Sequence, residues 1–168
     1  MKKILFIVLF VSVFGLGFIS SNIISNSKNK SELKKVTGIG GLFFKAKDPK
    51  SLKEWYKNNL GMNIDQYGKM FDWREGDDAS HLGLTQWSIF NEKTKYFDPS
   101  EKSFMINYRV ADLVSLVDEL KSSGVTITDT LQSSEYGKFI HIMDIEGNKV
   151  ELWEPPVTNY DEYIKGKK

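Results

Sequence analysis

One supersecondary pattern occurs twice in the chain, and this duplication constrains the fold more than any other feature of the sequence. In each copy an extended apolar segment leads to an aspartate, and an amphipathic segment then runs to a glycine. The two copies align at a constant separation of 64 residues, which pairs Lys45 with Arg109, Asp48 with Asp112, Ser51 with Ser115, Leu52 with Leu116 and Lys57 with Lys121. One such unit cannot bury its apolar face alone, so we expect two modules that pack on each other.

The aspartate of each copy is predicted to begin a helix. Asp48 is followed by Pro49, and an N-cap carboxylate with proline at the first helical position favours a helix start. The apolar residues that follow recur at helical spacing, which are Leu52, Trp55, Tyr56 and Leu60 in the first copy and Leu113, Leu116, Val117 and Leu120 in the second. Gly61 and Gly124 are the expected helix ends.

Extended segments complete each module. The first module is predicted to contain strands at 38–46, 62–66, 69–74 and 82–90. The second is predicted to contain strands at 104–110, 125–128, 138–143 and 149–153. Each module therefore has the order β-α-β-β-β, and Gly147 and Asn148 supply a tight turn between the last two strands.

The N-terminal segment differs in kind from the rest of the chain. Lys2 and Lys3 precede an apolar run at 4–19, and Ile23 and Ile24 bring its length close to the roughly 20 residues that a membrane span needs. Two positive charges, an apolar core and a polar exit also describe a secretory signal. The missing small-residue cleavage pattern favours an uncleaved anchor. We expect a signal anchor or signal peptide at 1–24, a polar linker at 25–35, one domain at 36–155 and a polar tail at 156–168.

Composition narrows the possible partners and compartment. The formal net charge is +1 with mixed signs, which argues against a nucleic-acid-binding surface. The chain has no cysteine, so disulfides and thiolate chemistry are excluded. We expect a single-pass protein of the cell membrane with its domain outside the cytoplasm, or a secreted protein.

The end of the second module carries the most specific motif. It reads Asp-Ile-Glu-Gly-Asn-Lys-Val-Glu-Leu-Trp-Glu-Pro from Asp144 to Pro155. Together with the two capped helices, this motif resembles the vicinal oxygen chelate superfamily, which includes glyoxalase I, bleomycin resistance proteins and extradiol dioxygenases. The resemblance implies an α+β fold in which two β-α-β-β-β modules form paired, curved mixed sheets around a groove. In that family His or Glu residues from the first and last strands of each module often hold a divalent metal.

Most positions that the resemblance implies as metal donors do not carry suitable residues. The first-strand donor would fall on Gly41 in the first module and on Met105 in the second. The donor on the last strand of the first module would fall near Gln86 or Trp87. Glu151 alone matches in type and position, and one carboxylate does not hold a catalytic metal. We therefore expect no metal and no other cofactor.

Glu151 is the leading candidate for a ligand-binding role. It lies in an apolar strand, where a buried carboxylate needs a partner, and Arg109 or Lys149 would supply a purely structural one. His141 is a second candidate, either as a general base or as a core histidine. Four further candidates are amide or aromatic residues that we expect to face the groove, namely Trp153, Trp87, Gln86 and Asn107. The last candidate is Tyr136, which we expect to act as a lid over the groove.

Three functions fit these observations. The first is binding of a small, partly apolar molecule without metal, as the resemblance to bleomycin-binding members implies. The second is a glyoxalase- or dioxygenase-type enzyme that uses His141 and Glu151 with an atypical metal site. The third is a surface interaction domain without ligand. The expected partners are a small molecule and, through the N-terminal helix, a membrane; the sequence leaves open whether two chains form a homodimer.

Overall fold

The computed structural model describes residues 35–76, 79 and 82–156. These residues form seven strands and two helices, which are β1 (Val36–Ala46), α1 (Pro49–Leu60), β2 (Lys69–Arg74), β3 (Leu82–Asn91), β4 (Phe104–Val110), α2 (Leu113–Ser122), β5 (Gln132–Ser134), β6 (Gly137–Met143) and β7 (Lys149–Glu154). The predicted anchor at 1–24, nearly all of the linker and nearly all of the C-terminal tail lie outside the described residues. Neither α1 nor α2 is long and apolar enough to cross a membrane.

The strands form one mixed sheet with the order β2-β3-β1-β4-β7-β6-β5. The strands β1 and β4 lie at its centre and pair antiparallel. Each of these two strands also pairs in parallel with the last strand of its own module, β1 with β3 and β4 with β7. The two halves of the sheet are therefore built alike, which confirms the duplication inferred from the sequence.

Both helices begin as the sequence predicts. The Asp48 carboxylate accepts a hydrogen bond from the Ser51 amide at 3.0 Å, and the Asp112 carboxylate accepts one from the Ser115 amide at the same distance. Gly61 ends α1 with a φ of 64°, a left-handed conformation that glycine adopts without steric cost. The repeated Asp-x-x-Ser pattern thus fixes both helix starts.

The two helices differ in how well they are buried. The main core cluster lies under α2 and consists of Val110, Leu113, Leu116, Val117, Ile140 and Leu152. In α1 no residue is fully buried, and its main aromatic contact joins Tyr56 to Trp87, with ring centroids 4.9 Å apart. The second module therefore holds most of the apolar burial.

Two strand predictions and the sheet arrangement were wrong. No strand forms at 62–66, because the Asp65 carboxylate accepts the amides of Tyr67 and Gly68 at 2.8 and 2.9 Å and turns the chain. At 125–128 only an isolated bridge joins Ile127 to Ile142, and the strand forms later, as β5. The first module is therefore β-α-β-β, and the modules join in one sheet rather than in two.

The alternation of β6 and β7 separates the core from a polar face. Ile140 and Leu152 belong to the cluster under α2. Successive side chains of a strand point to opposite faces, so His141 and Glu151 point away from α2. These two residues are direct cross-strand partners. A polar centre therefore lies on the sheet face opposite α2.

Candidate functional site

The pairing register aligns one residue from each of five adjacent strands across the sheet. In order from β3 to β6 these residues are Gln86, Gly41, Asn107, Glu151 and His141. Neighbours in such a row share a face of the sheet. Two predicted site residues, Asn107 and His141, thus flank a third, Glu151.

The Glu151 carboxylate is buried and accepts three hydrogen bonds. The side chain of Asn107 donates to Oε1 at 2.5 Å, and Nε2 of His141 lies 2.9 Å from Oε2. The Tyr96 hydroxyl also donates to Oε2. Glu151 as a whole is only 3% exposed, and hydrogen bonds of this kind offset the cost of burying a charge.

Asp129 holds His141 from the opposite side of the imidazole ring. Its Oδ1 accepts the backbone amide of His141 at 2.9 Å, and its Oδ2 lies 2.5 Å from Nδ1 of the ring. The two ring nitrogens of His141 face two carboxylates, those of Asp129 and Glu151. A carboxylate only accepts, so each of these hydrogen bonds requires a hydrogen on the ring nitrogen that faces it. The Asp129 carboxylate accepts the His141 amide of β6 in place of a backbone carbonyl. The strand pairing that begins at the bridge between Ile127 and Ile142 therefore ends there.

The electrostatics of this centre favour a charged Glu151 and a neutral Tyr96. Burial by itself would raise the pKa of Glu151, but hydrogen bonds from His141, Tyr96 and Asn107 lower it, and the net shift is downward. Burial, followed by the charge of Glu151, raises the pKa of Tyr96 far above its usual range. The Tyr96 hydroxyl therefore stays a hydrogen-bond donor.

Tyr96 reaches Glu151 from the loop between β3 and β4. Its ring stacks on Phe90 with centroids 5.5 Å apart and meets the edge of His141 at 5.3 Å. The buried Lys149 donates to the Tyr96 carbonyl at 2.7 Å and thereby fixes the loop. Tyr96 is nevertheless 40% exposed, whereas Asn107 and His141 are buried. Of the three side chains that the described structure places on Glu151, only Tyr96 therefore reaches solvent.

Sequence comparisons give no relative, whereas structural comparisons identify the fold. No protein-family model and no curated protein sequence matches the chain. The structure of methylmalonyl-CoA epimerase from Streptomyces coelicolor in complex with 2-nitronate-propionyl-CoA is similar, with 15% identity, a TM-score of 0.54, and coverage of 73% of this chain and 99% of that chain. A catechol 2,3-dioxygenase matches with 20% identity and a TM-score of 0.50, over 73% of this chain and 41% of that chain. The domain has the vicinal oxygen chelate fold.

The row of aligned residues does not supply the metal donors that this fold often carries. An added Cβ at Gly41 would lie 2.5 Å from the ring of Phe43, so an aromatic side chain covers this position. The Gln86 amide donates to the carbonyls of Tyr67 and Trp87, at 3.2 and 3.3 Å. Within the part of the chain that the structure describes, no three His, Asp or Glu residues are grouped to hold a metal. These residues do not fit a vicinal oxygen chelate metal site.

Asn107, and not Met105, occupies the row position of the second module. The pairing of β1 with β4 is regular from Gly41 to Phe44 and places Asn107 opposite Gly41, whereas the register shift lies on the other side of Gly41, towards Ile39. Met105 pairs with Phe43 instead and is fully buried. Counting back from the helix cap gives a position along β4 but not its partner across the sheet, because the antiparallel pairing register decides which residues lie opposite each other.

The remaining predicted site residues lie away from Glu151. Trp87 is on the opposite face of the sheet, where it contacts Phe44 and Tyr56, so it does not form part of a groove with Glu151. Trp153 lies one row further along β7, stacks on Phe139 and donates to the Tyr136 carbonyl at 2.8 Å. Tyr136 therefore contacts Trp153 through its backbone, and its side chain is half exposed.

The structural partners expected for Glu151 were also wrong. Arg109 pairs with Glu75 at 2.8 Å, and Lys149 binds the Tyr96 carbonyl. The actual partners include Tyr96, which no sequence pattern indicates, and Asp129 joins the network through His141. A buried histidine on an apolar strand requires a partner, but nothing in the sequence identifies that partner as Asp129.

Proposed function

We propose that this domain binds a small, partly apolar molecule at Glu151 without a metal ion. One observation carries the proposal: the chain's own donors occupy the carboxylate that the fold usually directs at a metal, and one of those donors, Tyr96, is exposed. A ligand hydroxyl or amine can replace the Tyr96 hydroxyl on Oε2 of Glu151. The bonds from His141 and Asn107 then keep the carboxylate in position.

The surroundings of Tyr96 support a ligand with an aromatic or other apolar body. Phe90 stacks on Tyr96, Phe43 meets Phe90 edge-on at 5.8 Å, and the fully buried Phe97 lies next to Phe90 at 5.3 Å. Small-molecule sites typically combine such apolar walls with a few placed polar groups. The charge on Glu151 strengthens a hydrogen bond to a ligand donor.

An enzyme of the glyoxalase or dioxygenase type has weaker support. It would need a metal at His141 and Glu151, whose facing atoms are hydrogen-bonded to each other. The described residues add no third carboxylate or imidazole to that pair in a suitable geometry. The activities named for the structurally similar proteins belong to chains that are 15% and 20% identical to this one, and such identities support the fold only.

The proposal is tested with p-cresol, which reproduces the side chain of tyrosine, and with 4-methylanisole, which lacks the hydroxyl donor. We expect p-cresol to bind and 4-methylanisole to bind at least roughly fivefold more weakly, since a hydrogen bond contributes about 1 kcal/mol or more. Tyr96→Phe should tighten p-cresol binding by about fivefold, because the ligand no longer displaces a hydroxyl. Tyr67→Phe, at a tyrosine that is 70% exposed, is the matched control and should change nothing. Equal affinity for both compounds, or an unchanged affinity in Tyr96→Phe, would contradict the proposal.

A further inference from the structure

A cavity of about 420 Å³ lies between the start of β1 and the end of β2. Trp73 and Tyr108 form aromatic walls, and Glu75 contributes the acidic part of its lining. The volume falls within the range of small-molecule sites. None of the residues that contact Glu151 lines this cavity, so it is distinct from the site proposed above.

The Trp73 indole forms a fixed wall of the cavity because two glycines make room for it. An added Cβ at Gly38 would lie 2.6 Å from Cζ2 of the indole, and one at Gly83 would clash with the same ring. The indole Nε1 donates to the Thr85 hydroxyl at 3.0 Å, and this hydroxyl donates to the Ile39 carbonyl at 2.6 Å. The ring therefore rests against the backbone of two strands in one orientation, as a stacking surface for a flat ligand requires.

Glu75 gives the cavity a hydrogen-bond acceptor. Its Oε1 accepts from Nη1 of Arg109 at 2.8 Å, and the two side chains are 22% and 16% exposed. An ionised carboxylate only accepts hydrogen bonds and has several acceptor positions, so Arg109 does not use all of them. A ligand group that meets Glu75 must therefore be a donor.

We infer that this cavity is a second binding site, for a planar aromatic molecule that carries N–H donors. The ring would stack against Trp73 beside Tyr108, and the N–H groups would bind the Glu75 carboxylate. This inference does not depend on the function proposed for Glu151, because the two sites share no residue.

The inference is tested with three compounds of nearly the same shape, namely benzamidine, benzamide and benzoate. The first two have N–H donors, and benzoate has acceptors only. Titration of the full-length chain, followed through the NMR signal of the Trp73 indole N–H, gives each affinity. We expect benzamidine and benzamide to bind at concentrations on the order of 1 mM and benzoate to bind at least roughly tenfold more weakly. Benzoate binding as tightly as benzamide, or no shift of the Trp73 signal with any compound, would overturn the inference.

Two variants locate the binding at this cavity. Gly38→Ala should displace the indole and weaken benzamidine at least roughly tenfold, since the new methyl group occupies the place of the ring. Val114→Ala, at an exposed residue of α2 that does not line the cavity, is the control and should bind benzamidine as the parent chain does. Glu75→Gln offers a test that leaves the glycines intact, and it should remove the preference for benzamidine and benzamide over benzoate. Unchanged affinities in both Gly38→Ala and Glu75→Gln would place the binding elsewhere. Because the two sites share no residue, Tyr96→Phe should leave the benzamidine affinity measured at the Trp73 signal unchanged, and a change there would contradict a separate site.

Discussion

At the scale of single residues, Glu151 determines how the polar centre responds to pH. Its pKa lies below the ordinary value of 4.5, because the hydrogen bonds of the folded state outweigh burial. A group with a lowered folded pKa stabilises the fold above its unfolded pKa, and this contribution is lost as the pH falls through the folded pKa. Glu151 therefore stabilises the domain at neutral pH and ceases to do so in acid.

Glu151→Gln tests this dependence. We expect the variant to be less stable than the parent by about 1.5–3 kcal/mol near pH 7, the usual loss for a hydrogen bond to a charged group. The difference in unfolding free energy should shrink as the pH falls below 4.5. Urea unfolding of both chains at a series of pH values measures it. Glu146→Gln, at an exposed carboxylate, should show neither effect, and a difference for Glu151→Gln that is independent of pH would contradict the assignment.

The Tyr96 hydroxyl is expected to stabilise the fold and to weaken ligand binding, so its removal should change the two properties in opposite directions. Because it donates to Glu151, Tyr96→Phe leaves a buried carboxylate with one donor fewer. We expect a loss of about 1–2 kcal/mol in unfolding free energy together with the gain in p-cresol affinity described above. A variant that loses both stability and affinity would indicate that Tyr96 shapes the site rather than closes it.

At the scale of secondary-structure elements, the unequal burial of the two helices leads to a further prediction. Leu116 in α2 is 7% exposed and belongs to the core cluster, whereas Leu60 at the end of α1 is 60% exposed. We expect Leu116→Ala to lower the unfolding free energy by about 2–4 kcal/mol, the range for buried leucines. The matched Leu60→Ala should stay within roughly 0.5 kcal/mol. Chemical denaturation measures both, and equal losses would show that α1 packs more tightly than the structure indicates.

The sequence predicted elements well where one local rule dominates. Both helices and the strands β2, β4, β6 and β7 follow from capping residues, periodicity and the Gly147 turn. The strand predicted at 62–66 does not form, because the Asp65 side chain accepts backbone amides that a strand would use for pairing. The position of β5 was missed because Asp129 binds an amide of β6.

The candidate site was predictable only in part, for a related reason. Glu151, His141 and Asn107 lie on regular strands, so alternation and the motif located them. Tyr96 and Asp129 come from loops, whose paths depend on distant contacts such as that of Lys149 with the Tyr96 carbonyl. Trp87 was placed on the wrong face because apolar and aromatic residues of β3 alternate without a clear polar side.

At the scale of the whole molecule, the N-terminal segment carries a prediction that rests on sequence alone. The apolar run at 4–19 and the residues up to Ile24 approach the length of a membrane span. We expect fractionation to recover the full-length chain with membranes and a chain lacking residues 1–30 in the soluble fraction. Recovery of the intact chain in the soluble cytoplasm would contradict the predicted anchor, and an aggregated deletion variant would show that the domain needs this segment.

The whole molecule also combines a vicinal oxygen chelate fold with a centre built from hydrogen bonds. The position at Gly41 is covered by Phe43, and Glu151 is held by three side chains of the same chain. We therefore expect ligand binding to require the Glu151 carboxylate and no metal.

Calorimetric titration of p-cresol into the full-length chain, before and after treatment with EDTA, measures whether ligand binding depends on a metal ion. We expect the same dissociation constant in both titrations and far less than one equivalent of bound zinc, nickel, manganese or iron in the untreated protein. Because a ligand or metal that binds only the folded state stabilises it, EDTA should also leave the melting temperature unchanged. Loss of p-cresol binding after EDTA treatment, with recovery on addition of zinc or manganese, would contradict metal-free binding at Glu151 and support a metal-dependent enzyme.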